Sequence, residues 1–72
     1  MNKEAVLFIL DNANEGDLIE IRLSNGLHTF LKHDIQYDMY NNEALVIESN
    51  STSEKYLVNV TSIESITSAI VI

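Results

Sequence analysis

Leu18-Ile19-Glu20-Ile21-Arg22-Leu23-Ser24-Asn25-Gly26-Leu27-His28-Thr29-Phe30-Leu31 is the stretch that decides the fold. Ile19, Ile21 and Leu23 fall on one face of an extended chain, and Leu18, Glu20 and Arg22 on the other. A period of two is the signature of a half-buried strand. Ser24-Asn25-Gly26 follows, and Asn-Gly accepts the positive φ values of a type I′ turn, which joins two twisted antiparallel strands tightly. The return strand runs from Leu27 to about Ile35. Thr29, Phe30 and Leu31 break its alternation, which predicts a bulge or a sharp bend.

Upstream, Asn2 to Asn14 reads as a helix. Asn2 is placed to cap it, Glu4 sits in its favourable first turn, and Val6, Ile9, Leu10 and Ala13 recur at helical spacing. Gly16 stands just past the expected end. A buried strand over Ala5 to Leu10 is the competing reading. Downstream, Tyr37 to Glu43 is polar and turn-rich, with Asn41-Asn42 as the expected reversal. Ala44 to Glu48 reads as a third strand and Ser49 to Glu54 as an exposed loop. Tyr56 to Thr61 alternates as a fourth strand. Ile63, Ile66 and the tail Ser68 to Ile72 give a short fifth strand after a tight turn.

The expected fold is therefore mostly β. A helix at about 2–14 precedes a strongly bent, five-stranded antiparallel small barrel over about 17–72. Five short strands are too few for a sandwich, and curling one sheet shortens its exposed edges. The 72 residues make a single domain. A domain of that size buries only about 60% of its unfolded-chain surface, so assembly or partner binding would help it.

With no cysteine, disulfides and thiolate zinc sites are excluded. The longest apolar run, Ala5 to Leu10, is too short to span a bilayer and lacks the cleavage site of a secretion signal. These features predict an intact cytoplasmic protein without membrane contact. Eleven acidic against four basic side chains give a net charge of −7. The acids are dispersed from Glu4 to Glu64, and only Lys3, Arg22, Lys32 and Lys55 could meet phosphates. Such a surface repels nucleic acid and anionic lipid at long range. Its plainest role is solubility.

The segment Tyr37-Asp38-Met39-Tyr40-Asn41-Asn42-Glu43-Ala44-Leu45 is similar to the first sequence motif of the Sm-like family, the small barrels of Sm proteins and of the bacterial RNA chaperone Hfq. Asn41 stands where that motif has an apolar residue. Val58-Asn59-Val60-Thr61-Ser62-Ile63 resembles the second motif in its apolar frame and tight turn. RNA-binding members carry a basic residue and glycine there, where this chain has Asn59 and Val60. A glycine of the bent second strand corresponds to the region of Lys32. The resemblance spans about Gly16 to Ser68, and other SH3-like barrels share its pattern. It implies rings or smaller oligomers, built by pairing the fourth strand of one subunit with the fifth of the next. The tail Ala69-Ile70-Val71-Ile72 would suit such pairing or would close its own barrel. It also implies an RNA pocket with Tyr40 or a neighbour for stacking, Asn42 for a base edge and the second-motif loop for phosphate. Asp38 and Glu43 beside that pocket, and the missing basic residue, oppose RNA.

Other chemistry is sparse. His28, His33, Asp34 and Asp38 have no distinctive ligand spacing. No nucleophile elbow, phosphate loop or dinucleotide fingerprint occurs. The sequence predicts no enzyme, no cofactor and no metal. Tyr37, Met39 and Tyr40, ringed by acids, suit a protein-binding patch, because Tyr is enriched in interface hot spots. The alternative is that one or two of them fill the barrel mouth. The expected function is a non-catalytic, homo-oligomeric interaction module. Its candidate binding residues are Tyr37, Asp38, Met39, Tyr40, Asn42 and Asn59, and in a sharper version the acidic surface imitates nucleic acid. The alternative is an Sm-like RNA binder with a degenerate site.

Overall fold

The structure, a computed structural model, describes residues 1–70. The chain opens with helix α1 (Lys3–Asn12). Asn2 caps it as expected, its Oδ1 accepting the Ala5 amide at 2.8 Å. Val6 and Leu10, one turn apart, are the buried positions of its inner face. The helix ends without a glycine in the left-handed region: Ala13 is extended, and Lys32 Nζ takes over the role of Gly16. It donates to the carbonyl of Leu10 at 2.7 Å, which also accepts the Ala13 amide at 3.4 Å, and to the carbonyl of Ala13 at 3.2 Å.

Six strands follow: β1 (Asp17–Leu23), β2 (Gly26–Leu31), β3 (Ile35–Met39), β4 (Ala44–Ser49), β5 (Lys55–Asn59) and β6 (Ile63–Ile70). They form two three-stranded antiparallel sheets, β2-β1-β6 and β3-β4-β5. The count is six rather than five because the long return strand is broken. A 3-10 turn at Lys32–Asp34 separates β2 from β3. The expected bend thus lies just after Thr29-Phe30-Leu31, and it moves the chain from one sheet to the other. A second 3-10 turn, Val60–Ser62, ends β5 earlier than the predicted Thr61. The last strand is longer than expected, eight residues, and the Val71-Ile72 end of the predicted tail lies outside the described residues.

The first hairpin also differs in detail. Leu23 pairs with Gly26, so the connecting residues are Ser24 and Asn25. Neither has positive φ, and Gly26 at φ +158° opens β2 instead, so the turn is not type I′. The cause is register: Ile19 opposite Phe30 and Ile21 opposite His28 fix which residues remain to connect the strands.

Ile19, Ile21, Ile35, Leu45, Ile47, Val60, Ile63 and Ile66 join Val6 and Leu10 in one core between the sheets and beneath the helix. Two polar groups are buried with them. Asp17 accepts from the Asn14 amide at 3.0 Å and Ser68 Oγ at 2.7 Å, and Ser49 Oγ donates to Asp34 at 3.1 Å. The Ser68 hydroxyl and the Asn14 amide hold the Asp17 carboxyl below its usual range. The Ser51 hydroxyl, with Ser49 and the Ser51 amide, does the same for Asp34.

The fold therefore binds fewer protons at these sites than the unfolded chain does. Their contribution is full above the ordinary Asp value of about 3.9 and declines as pH falls through and below it. Urea midpoints measured from pH 7 to pH 3 should fall steeply, and less steeply in Ser68→Ala. A constant gap between the two proteins across that range would refute this linkage.

Candidate functional site

One end of the molecule gathers both motif segments. Between β3 and β4 the chain reverses over residues 40–43, closed by the Tyr40 amide on the Ala44 carbonyl at 2.8 Å. Asn41 builds the turn: its Oδ1 accepts the amides of Glu43 at 2.8 Å and Ala44 at 3.0 Å, an Asx arrangement. Ala44 lies opposite Asn59, and the Val60 amide donates to the Glu43 carbonyl at 2.8 Å. Asn59 then caps the second 3-10 turn, its Oδ1 accepting from the Thr61 amide and hydroxyl at 3.0 and 2.8 Å.

The helix start completes this end. Lys3 Nζ donates to Asn42 Oδ1 at 2.7 Å, and the Met1 nitrogen donates to the carbonyls of Val60 at 3.2 Å and Ile63 at 3.0 Å. Asn42 and Asn59 are thus brought to the same rim from positions far apart in sequence. Tyr40 stands beside them, 73% exposed. Asp38 is exposed on the outer face of β3, its carboxylate accepting the Met39 amide at 2.8 Å.

Tyr37 and Met39 are half-buried. They alternate inward on β3 and pack against the core. The Tyr37 hydroxyl donates to Asp11 at 2.6 Å, and Lys32 Nζ lies 5.6 Å from its ring centroid. Burial, with the Asp11 carboxylate beside it, pushes the phenol up to about 12. Tyr37 therefore remains a hydrogen-bond donor that ties helix to sheet. The period of two already separated Tyr37 and Met39 from Asp38 and Tyr40, once this segment is read as strand rather than turn.

Two features escaped the sequence reading. Leu57 is 66% exposed on β5, on the outer face it shares with Val46 and Asp38. Its parity with Lys55 and Asn59 was the available signal. His28 and Tyr56 meet across the two sheets, with ring centroids 5.9 Å apart, and Phe30 packs edge-on to Tyr56 at 5.6 Å. No pattern linked β2 to β5 in advance.

The chain matches no family model, no curated protein and no solved structure. The site must therefore be read from its own chemistry. It offers amides, one phenol, the ammonium groups of Lys3 and Met1 and carboxylates, all suited to recognition. Asp34, the carboxylate bound by two serines, is a poor proton acceptor because those hydroxyls stabilise its charged form. It knits the loop after β4: the Ser51 amide and hydroxyl and the Ser49 hydroxyl all donate to it. His33 lies in the first 3-10 turn, its Nδ1 donating to the Glu15 carbonyl at 3.0 Å, and is separated from His28 on β2. Among the described residues no group of three His, Cys, Asp or Glu could hold a metal ion. No helix among them is long and apolar enough to cross a membrane.

Proposed function

We propose that this chain is a non-catalytic, cytoplasmic, small-barrel interaction module that self-assembles and binds a protein partner at its acidic, aromatic end. Merging β2 with β3 across the Lys32–Asp34 turn gives the neighbour order β6-β1-β2/β3-β4-β5. That is the order of a five-stranded, Sm-like or SH3-like meander whose first and last members are β6 and β5. The observation that carries the self-assembly is that each of these end strands exposes a large aliphatic side chain, Leu57 at 66% and Ile70 at 77%. An apolar strand edge left open is an aggregation hazard, and pairing β5 of one copy with β6 of the next removes it. Asp38, Tyr40 and Glu43 at the rim would meet a cationic partner surface, with Tyr40 as the anchor.

A second reading, an RNA binder with a degenerate site, is favoured by one contact. Lys3 on Asn42 places a cation where the sequence motifs have none. One experiment addresses both. Light scattering should give a multiple of the 8.1 kDa chain mass, and Leu57→Lys should reduce it to the monomer. A monomeric parent protein would end the self-assembly reading. Adding a short U-rich RNA in low salt should leave the mass unchanged. Binding that Tyr40→Ala or Asn42→Ala abolishes would transfer the site to RNA.

A further inference from the structure

We propose that the side of the molecule along β2 is a peptide-binding groove, which takes an extended segment with one apolar and one basic side chain two residues apart. β2 is the only one of the six strands without a charged residue, in a chain of net charge −7. It stands at the end of its sheet, so one row of its peptide groups faces away from β1. Edge strands are normally protected by charges, proline or bulges. Gly26-Leu27-His28-Thr29-Phe30-Leu31 has none of these devices, and an added strand would satisfy its open peptide groups.

Two cavities flank this edge. One, of about 390 Å³, is bounded by the Leu23–Asn25 turn, His28, Val58 and Ser62. The other, of about 270 Å³, is bounded by Phe30, Asp34, Ser51 and Glu54. Tyr56 lines both and forms the ridge between them. His28 and Phe30 mark the two cavities from β2, two residues apart, a spacing of about 6.8 Å along a strand. An added strand has the same repeat, so two of its inward side chains would fall one on each side of Tyr56.

The linings differ in charge, and this sets the ligand. No acidic residue lines the larger cavity; Leu23, Leu57, Val58 and the Tyr56 ring offer apolar contact there, beside the uncharged polar groups of Asn25 and Asn59. Asp34 and Glu54 line the smaller one, and Glu54 already accepts the Tyr56 hydroxyl at 2.6 Å. A lysine or arginine there would meet two carboxylates. The proposal goes beyond self-assembly and does not rest on it, although Leu57, the β5 residue placed between copies in that reading, also lines the larger cavity.

The test uses the full chain, isotope-labelled for amide NMR, and nine capped pentapeptides Thr-X-Thr-Z-Thr in which X and Z are each Leu, Lys or Glu. Both strand directions are covered, because Leu-then-Lys and Lys-then-Leu are both present. Peptides with one Leu and one Lys should shift the amides of residues 26–31 and bind tightest. Glu54→Gln, which keeps an acceptor for Tyr56, should weaken the Lys peptides about fivefold, as expected for a partly exposed pair, and leave the Leu-only peptide unchanged. The proposal is overturned if no peptide shifts residues 26–31 at millimolar concentration, if the ranking ignores Lys, or if the shifts map to residues 40–44. Light scattering on the same samples separates the two ideas. A peptide-binding monomer would remove self-assembly alone, and an assembly that ignores all nine peptides, and still ignores them once diluted to the monomer, would remove the groove alone.

Discussion

Leu45→Ala is expected to cost about 2–5 kcal/mol, the range for emptying a fully buried leucine site. Leu45 has no exposed surface and lies between Met39 and Val58 on the inner face of its sheet. Folded domains hold roughly 0.05–0.15 kcal/mol per residue, so a chain of 72 residues has about 4–11 kcal/mol in total. The loss is therefore a large fraction of the whole, and the urea midpoint of the variant should fall by a corresponding fraction. Val46→Ala, one residue on and facing outward, should cost less than about 1 kcal/mol. Urea denaturation followed by circular dichroism checks both, and equal losses would mean that the inward and outward faces are wrongly assigned.

Lys32→Met should have the next largest effect, a loss of about 2 kcal/mol, the order expected for charged hydrogen bonds on partly buried acceptors. Methionine keeps the apolar stem and removes the ammonium that closes the carbonyls of Leu10 and Ala13. The same ammonium lies over Tyr37, whose hydroxyl reaches back to Asp11 on the helix. Without it, the last turn of α1 should open first, and amide exchange at Ala13, whose N–H bonds Leu10, should accelerate more than at Ile47. Uniform acceleration would place Lys32 in global stability and deny it a local role at the helix end.

What could be read in advance follows from the range of each signal. Alternation at Ile19, Ile21 and Leu23 is local, and so are the Asn2 cap and the inward pair Leu45 and Ile47; all of these were legible. The break at Lys32–Asp34 was legible only as an irregularity. Its position depends on Lys32 reaching the helix and on the Ser51 hydroxyl and amide reaching Asp34, contacts between residues distant along the chain. The hairpin connection was misread because Asn25-Gly26 favours one turn, whereas the facing rows of the sheet select another. At the rim, the motif segments singled out Tyr40, Asp38, Asn42 and Asn59 as candidates. Tyr37 and Met39 could be read either as a surface patch or as filling the barrel mouth, because the later part of β3 has the polar composition of a turn. The groove beside β2 has no sequence signature, since Tyr56 meets His28 and Phe30 only through the packing of the two sheets.

The two sheets differ in how far apart in the chain their strands lie. β3, β4 and β5 are consecutive and occupy residues 35–59, so each closes on its neighbour through a short loop. In the other sheet β1 is central and pairs Asp17 with Ile70, across most of the sequence. Joining such distant segments carries a loop-closure cost that local hairpins do not. On a ribosome, the first strand would therefore emerge with its inward isoleucines uncovered on the β6 side until the last strand had been made. The consecutive sheet is then the part able to form early, and its buried Leu45 and Ile47 supply the apolar surface on which β1 can wait for β6.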